Sequence, residues 1–325
     1  MLARILVPLD GSALAERALP VAARLARASG GKLLLLRVYQ VMPSEFTPEL
    51  VVGNDTGDLR EARAYLARVS GRADLAGIPI EPVALGGAVA RAILNMAAAY
   101  EADTIVMTSH GRSGFTRRAL GSVAEYVVRH TPAPTLVLRG EQIAAQAEPL
   151  APGVVWLGYI GLDGSELAGR ALEPAARLLR ALAGAGPAEA RLLTVVRPPA
   201  PEDTARGGAR DRNQRLEQAD ATLRAAAARL ETGDLSQYAV RARWAAVEAA
   251  DTASALAIAA ERPERVLWRV DETRAGEEIA PGAGEGTRLI ALATRGGASL
   301  RRWALGSVTE HVLEGSRLPL LIVPG

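Results

Sequence analysis

The stretch LDGSALAERAL at residues 9–19 returns as LDGSELAGRAL at 162–172, and ALGSVAEYV at 119–127 returns as ALGSVTEHV at 304–312. Two separated motifs recurring in the same order are not a product of helix or strand periodicity, so the chain reads as a duplicated unit with one domain in each half. Its 325 residues fit two domains of roughly 100–200 residues, each long enough to bury a core of its own. The expected domains are 1–140 and 153–325, joined by a linker at 141–152 rich in Ala, Gln, Glu and Pro.

In the first half, apolar runs at Ile5–Leu9, Leu33–Val38, Ile80–Leu85, Thr104–Thr108 and Thr135–Leu138 alternate with amphipathic stretches. Those stretches predict helices over Ala13–Ala28, Asp58–Leu75, Ala88–Tyr100 and Ser122–His130. The second half repeats the order. Strands are expected at Val154–Leu162, Leu192–Val196, Val240–Ala245, Leu289–Ala293 and Leu320–Val323, with helices from Ser165, around Arg212–Glu231 and at Thr252–Ala260. Strands rich in Leu, Val and Ile without polar alternation suit parallel strands covered on both faces, and helical crossovers are what parallel pairing needs. The fold class is therefore α/β, as two doubly wound, five-stranded parallel-sheet (Rossmann-like) domains.

The copies are not evenly spaced. Asp10 and Asp163 are 153 residues apart but Gly121 and Gly306 are 185 apart, so the second half carries 32 extra residues. Most fall in an insertion at 262–286, where VLWRV precedes turn-rich TRAGEE and PGAGEG; this reads as a β-hairpin over the site face or a solvated loop.

Composition excludes several chemistries. With no cysteine, disulfides, thiolate metal sites and a Cys nucleophile are out, and imidazole comes from His110, His130 and His311 alone. The sequence pI of 9.2 accompanies a net charge of +2, and Lys32 is the single lysine. Arginines interleave with acids along the helices instead of forming a block, so no nucleic-acid partner is expected. The N-terminal apolar run is too short for a signal segment and no run approaches the roughly 20 residues of a membrane span. A cytoplasmic protein without a membrane partner is the expectation.

In a doubly wound sheet, the ligand crevice lies outside the carboxyl ends of the strands where strand order reverses. Asp10 follows the first strand there, and Ser109-His110-Gly111-Arg112-Ser113-Gly114 follows the fourth, ending at Gly121-Ser122 where a helix begins. Asp163, Thr294-Arg295-Gly296-Gly297 and Gly306-Ser307 mirror them. Glycine lets backbone amides approach a phosphate and a helix start adds unpaired N–H groups, so Gly111, Gly121 and Ser122 suit phosphoryl oxygens, with Arg112 adding charge. Plainer readings stand beside this one. Ser122 with Glu125, and Ser307 with Glu310, match capping boxes; Asp10-Gly11-Ser12 matches a turn followed by an N-cap. An acid at the tip of the first strand can also hold a ribose hydroxyl or a magnesium ion. His110 reads as a loop residue, since Arg295 stands in its place in the second half.

These motifs resemble the universal stress proteins in their tandem form, over nearly the whole chain. The resemblance rests on the pattern Gly-x2-Gly-x9-Gly-Ser, matched by Gly111 and Gly121-Ser122, by Gly296 and Gly306-Ser307, and by the Asp after the first strand. Thr108 and Ala293 replace its first glycine. The resemblance implies an adenine nucleotide, ATP, with magnesium as its companion. Pro8, Leu9 and Asp10 would lie at the nucleoside end, Val38 at the adenine, and Thr108, Gly111, Arg112, Gly121, Ser122 and Val123 along the phosphates. In the second half the corresponding set is Leu162, Asp163, Val195, Ala293, Gly296, Gly306, Ser307 and Val308. It also implies that the last strands, Thr135–Leu138 and Leu320–Val323, pair the halves into an internal pseudo-dimer, with a homodimer as a further state.

No catalytic residue stands out. A phosphate cradle without a placed base supplies binding and little rate, so the expected role is regulatory or protective in stress response, with at most slow ATP hydrolysis. An ATP pyrophosphatase would want a glycine–serine loop where PLDGSAL stands, and a phosphoacceptor domain would want clustered carboxylates. A nucleotide-free scaffold is the alternative, above all for the second half.

Overall fold

A computed structural model describes residues 2–39, 57–109, 120–139, 155–198, 208–270, 288–294 and 307–325. The chain divides into two compact units, Met1–Thr116 with Leu120–Leu138 and Arg117–Ala119 with Arg139–Gly325. The first contains β1 (Arg4–Leu9), α1 (Ala13–Glu16), α2 (Ala18–Ser29), β2 (Lys32–Tyr39), α3 (Gly57–Ser70), β3 (Ile80–Gly86), α4 (Val89–Ala99), β4 (Thr104–Thr108), α5 (Ser122–His130) and β5 (Thr135–Leu138). Its strands lie in the order β3-β2-β1-β4-β5, every pair parallel. Order reverses between β1 and β4, which places the crevice at the carboxyl ends of those two strands. β4 and β5 are buried throughout, whereas the edge strand β3 is half-exposed and carries Pro82, a residue that cannot donate to a ladder and is tolerated at edges.

The second unit repeats the plan with β6 (Trp156–Gly161), α6 (Glu166–Gly169), α7 (Leu172–Ala183), β7 (Ala188–Val196), α8 (Gly208–Glu231), β8 (Arg241–Glu248), α9 (Thr252–Glu261), β9 (Arg288–Thr294), α10 (Ser307–Gly315) and β10 (Leu320–Pro324). Its parallel order is β8-β7-β6-β9-β10. Helices cover both faces. A Cβ on Gly158 would lie 2.6 Å from Leu179 of α7, and one on Gly161, on the opposite face, 3.3 Å from Leu256 of α9. The two expected doubly wound, five-stranded domains are therefore present.

Several element boundaries differ from the sequence reading, each for a physical reason. The helix expected over 13–28 breaks at Arg17 into α1 and α2, because Pro20 has no N–H to donate back to the carbonyl of Glu16. Pro174 stands two residues into α7 and the same break recurs at Arg170. The helix expected to reach Leu75 stops at Ser70, before Gly71, and a separate 3-10 turn covers Ala73–Leu75. β7 begins at Ala188, four residues before Leu192, since Glu189 and Arg191, polar by sequence, are drawn into the sheet as a pair.

That pair reaches the described part of the insertion. Glu189 is 2% exposed and accepts from Nε of Arg191 at 2.7 Å and Nε of Arg243 at 3.0 Å. Arg191 in turn lies 5.2 Å from the Trp268 ring and 5.6 Å from the Tyr159 ring. Trp268 is thus held against the sheet, and the next residue, Arg269, forms an antiparallel bridge with Trp244 on the outer edge of β8. This one bridge pairs backbone groups of Trp244 that an open edge would leave unpaired. Residues 271–287, the rest of the expected hairpin or loop, lie outside the described residues.

A buried acid with two guanidinium partners is costly to remove because both cations lose their compensation. Glu189→Ala is expected to destabilise the second domain by about 3–5 kcal/mol, read as a lowered transition in calorimetric melting, while the first domain's transition stays in place.

Candidate functional site

A cleft of about 790 Å³ opens at the carboxyl ends of β1, β2 and β4 in the first domain. Pro8, Leu9 and Asp10 line it from β1, Val38 from β2 and Thr108 from β4, and Gly121, Ser122 and Val123 line it from the start of α5. Every described residue that the sequence assigned to this half is therefore brought to one place. Met107 of β4 and Val89 and Ile93 of α4 add an apolar wall.

The turn after β1 is built locally. Oδ1 of Asp10 accepts the Ser12 N–H at 2.9 Å, Gly11 sits at φ +83°, and Oγ of Ser12 accepts the Ala15 N–H at 3.1 Å. Glycine is the residue that adopts this left-handed backbone without strain. Ser12 is thus the N-cap of α1, and the turn holds the Asp10 carboxylate at the cleft. The second domain reproduces the turn, with Gly164 at φ +82° and Oδ1 of Asp163 accepting both the Ser165 N–H at 2.9 Å and its hydroxyl at 2.6 Å.

The start of α5 is built differently. The capping box read from Ser122 and Glu125 is not formed: Gly121 occupies the N-cap position, no side chain among the described residues caps the helix, and Ser122 is its first residue. Glu125 pairs with Arg129 at 2.8 Å instead. Glycine has no side chain to offer, so the amides of Ser122, Val123 and Ala124 are left without the partner that a Ser or Asp would bring. Those residues line the cleft, which therefore receives N–H donors and the positive end of a helix dipole. The Gly121 N–H donates to the Ser109 carbonyl at 2.7 Å, tying the helix start to the end of β4.

The sequence reading missed the α3 side of the cleft, lined by Arg37, Tyr39, Asp58, Glu61 and Tyr65. Arg37 pairs in register with Leu9, and its guanidinium lies 5.6 Å from the centre of the Tyr65 ring. Arg68 lies 5.1 Å from the same ring and bonds Glu16. Burial first, and then the Glu16 carboxylate, push the Tyr65 phenol up to about 12, against the pull of Arg37 and Arg68; it stays protonated. No motif marks these residues, and their one signal is strand register, which places the residue before Val38 beside the motif.

In the second domain, Leu162 and Asp163 follow β6, Val195 lies in β7, Ala293 in β9, and Ser307 and Val308 open α10. Val195 lies two residues beyond Leu193, the register partner of Gly161, as Val38 lies two beyond Leu36, the partner of Pro8. The surroundings differ. Thr194 holds the place of Arg37 and donates its hydroxyl to the Leu162 carbonyl at 2.7 Å. A Cβ on Gly161 would lie 2.8 Å from Leu292 and 3.3 Å from Leu256, so apolar side chains fill the space that the Pro8 ring holds in the first domain. His110, Gly111, Arg112, Gly296 and Gly306 lie outside the described residues.

Fold and site define a tandem doubly wound α/β protein with a crevice at the switch point. The chain belongs to the universal stress protein family, whose model matches residues 1–139 and 159–324. A universal stress protein of Thermus aquaticus is 35% identical over 140 residues, covering 43% of this chain and 100% of that protein. The solved structure of a universal stress protein from Archaeoglobus fulgidus has a TM-score of 0.59 and 20% identity, covering 99% of this chain and 98% of that one. Another universal stress protein, solved in complex with cAMP, is 27% identical over 42% of this chain and 96% of its own, with a TM-score of 0.34. Among the described residues no helix is long and apolar enough to cross a membrane.

The two serines are expected to separate in a stability measurement. Ser12→Ala costs about 1 kcal/mol by removing an N-cap, whereas Ser122→Ala changes unfolding free energy by less than about 0.5 kcal/mol. Equal losses would restore Ser122 as a cap.

Proposed function

We propose that the first domain binds an adenine nucleotide, ATP, in the cleft at the ends of β1, β2 and β4. The observation that carries this reading is the start of α5, where three backbone amides without a side-chain cap line the same cleft as Asp10. Phosphoryl oxygens are the groups such a helix start receives, and Asp10, fixed by the Ser12 amide, suits a ribose hydroxyl. The cleft volume of about 790 Å³ is that of a small-ligand site, and its apolar wall of Val89, Ile93 and Met107 suits a base.

Magnesium fits as a companion of the phosphates. It keeps several waters and takes one or two carboxylates beside phosphate oxygens, and Asp10, Asp58 and Glu61 line the cleft. Among the described residues no three metal-ligating side chains converge, so the ion would arrive with the nucleotide instead of occupying a protein cage.

The second domain is read as a nucleotide-free scaffold, because Leu256 and Leu292 pack onto Gly161 and Thr194 replaces Arg37. Binding in one domain, without a placed base, supports a regulatory or protective role in stress response with at most slow hydrolysis.

Calorimetric titration of nucleotide-stripped protein with magnesium-ATP is expected to give one site per chain, lost in Gly121→Val. Gly121 has φ −62° and ψ 146°, a conformation valine adopts, so folding persists while the backbone approach is blocked. A site surviving in Gly121→Val would move binding to the second domain. No binding in the natural chain would leave the scaffold reading for both.

Rapid ATP turnover that vanishes in Asp10→Ala would contradict the regulatory reading. The expected outcome is slow turnover in both proteins, measured as phosphate release.

A further inference from the structure

Arginines surround α3, and most of them are spent. Arg68 and Arg72 bond Glu16 at 3.0 and 2.9 Å, and Arg72 also bonds Asp74. Arg27 donates to the carbonyls of Asp74 and Ala76. Arg37 is the exception within this group: among the described residues it has a ring contact with Tyr65 and no hydrogen-bonded acid.

A guanidinium held over an aromatic ring loses less freedom when it then bonds an anion, because its position is already restricted. Tyr65 is a firm platform, since its helix neighbours Ala62, Leu66 and Val69 are buried. Arg37 belongs to the cleft lining and pairs in register with Leu9, the residue before Asp10. Asp58 and Glu61 line the cleft from the start of α3.

We infer that Arg37 is a charge-reading residue of the first-domain site, its long side chain reaching from the nucleoside end beside Leu9 and Val38 to a phosphoryl oxygen of the bound nucleotide, with Tyr65 positioning its guanidinium. This rests on the nucleotide reading and deepens it. The site then has a cation on the α3 side in addition to the amides of α5, and selects phosphorylated ligands over uncharged nucleosides. Thr194, which spends its hydroxyl on the Leu162 carbonyl, supplies no such charge in the second domain.

The test uses the full chain, with magnesium-ATP titrated into the natural protein and into Arg37→Gln at two salt concentrations, alongside thermal melting of both. Loss of one charge-assisted contact is expected to weaken ATP binding about tenfold. Its salt dependence should also become shallower, because one fewer cation is screened, while melting stays unchanged. Arg37→Lys, which keeps the charge without the planar guanidinium, is expected to fall between the two. Unchanged affinity, or weaker binding with an unchanged salt dependence, would overturn the role of Arg37 and leave the nucleotide reading standing. A natural chain that binds no ATP at either salt concentration would overturn the nucleotide reading and this inference with it.

Discussion

The absence of a side chain at the N-cap of α5 is the constraint on which the site depends. A helix begins with amides that its own turns do not satisfy, and α1 answers with the hydroxyl of Ser12. α5 has Gly121 in that position and no such answer. The carboxylate that could have completed a capping box, Glu125, is committed to Arg129. The fold thus brings two helix starts to one crevice, one capped by the Ser12 hydroxyl and the other with glycine at its N-cap. With glycine as the N-cap, the stability forgone at α5 is a few tenths of a kcal/mol, roughly 0.3 kcal/mol.

Duplication lets the two domains be compared position by position, and the comparison separates what they share from what they do not. The Asp-Gly-Ser turn is the same in both, down to a left-handed glycine and the acid's bond to the serine amide. Its presence therefore speaks for local architecture as much as for binding. What differs is the lining. Pro8, Met107 and Arg37 in one domain stand against Gly161, Leu292 and Thr194 in the other, and the leucines close on the glycine backbone. Polar capacity went elsewhere in the second domain, into the buried Glu189 pair that fastens Trp268 to the sheet.

Much of this was legible in the sequence. The repeated motifs, the apolar runs and the glycines placed both sheets and brought Asp10 and Gly121 to one crevice, because these signals are local and periodic, whereas Pro8 and Val38 followed from the family resemblance. Three kinds of feature were not. Proline breaks inside an amphipathic stretch, at Pro20 and Pro174, depend on a hydrogen bond four residues back that hydrophobic pattern does not register. Buried ion pairs such as Glu189 with Arg191 look like solvent-facing residues until their strands pair, which shortened the reading of β7. Arg37 and Tyr65 come from separate elements and meet through tertiary packing, so neither carries a signal of its own.

Amide-resolved NMR of the full chain during titration with magnesium-ATP tests the central claim most directly. The account predicts large, saturating shifts at Ser122, Val123 and Ala124, with smaller ones near Asp10 and Val38 and little change at Ser307 and Val308. Shifts confined to the second domain, or a titration that leaves Ser122 to Ala124 unmoved while ATP binds, would contradict it.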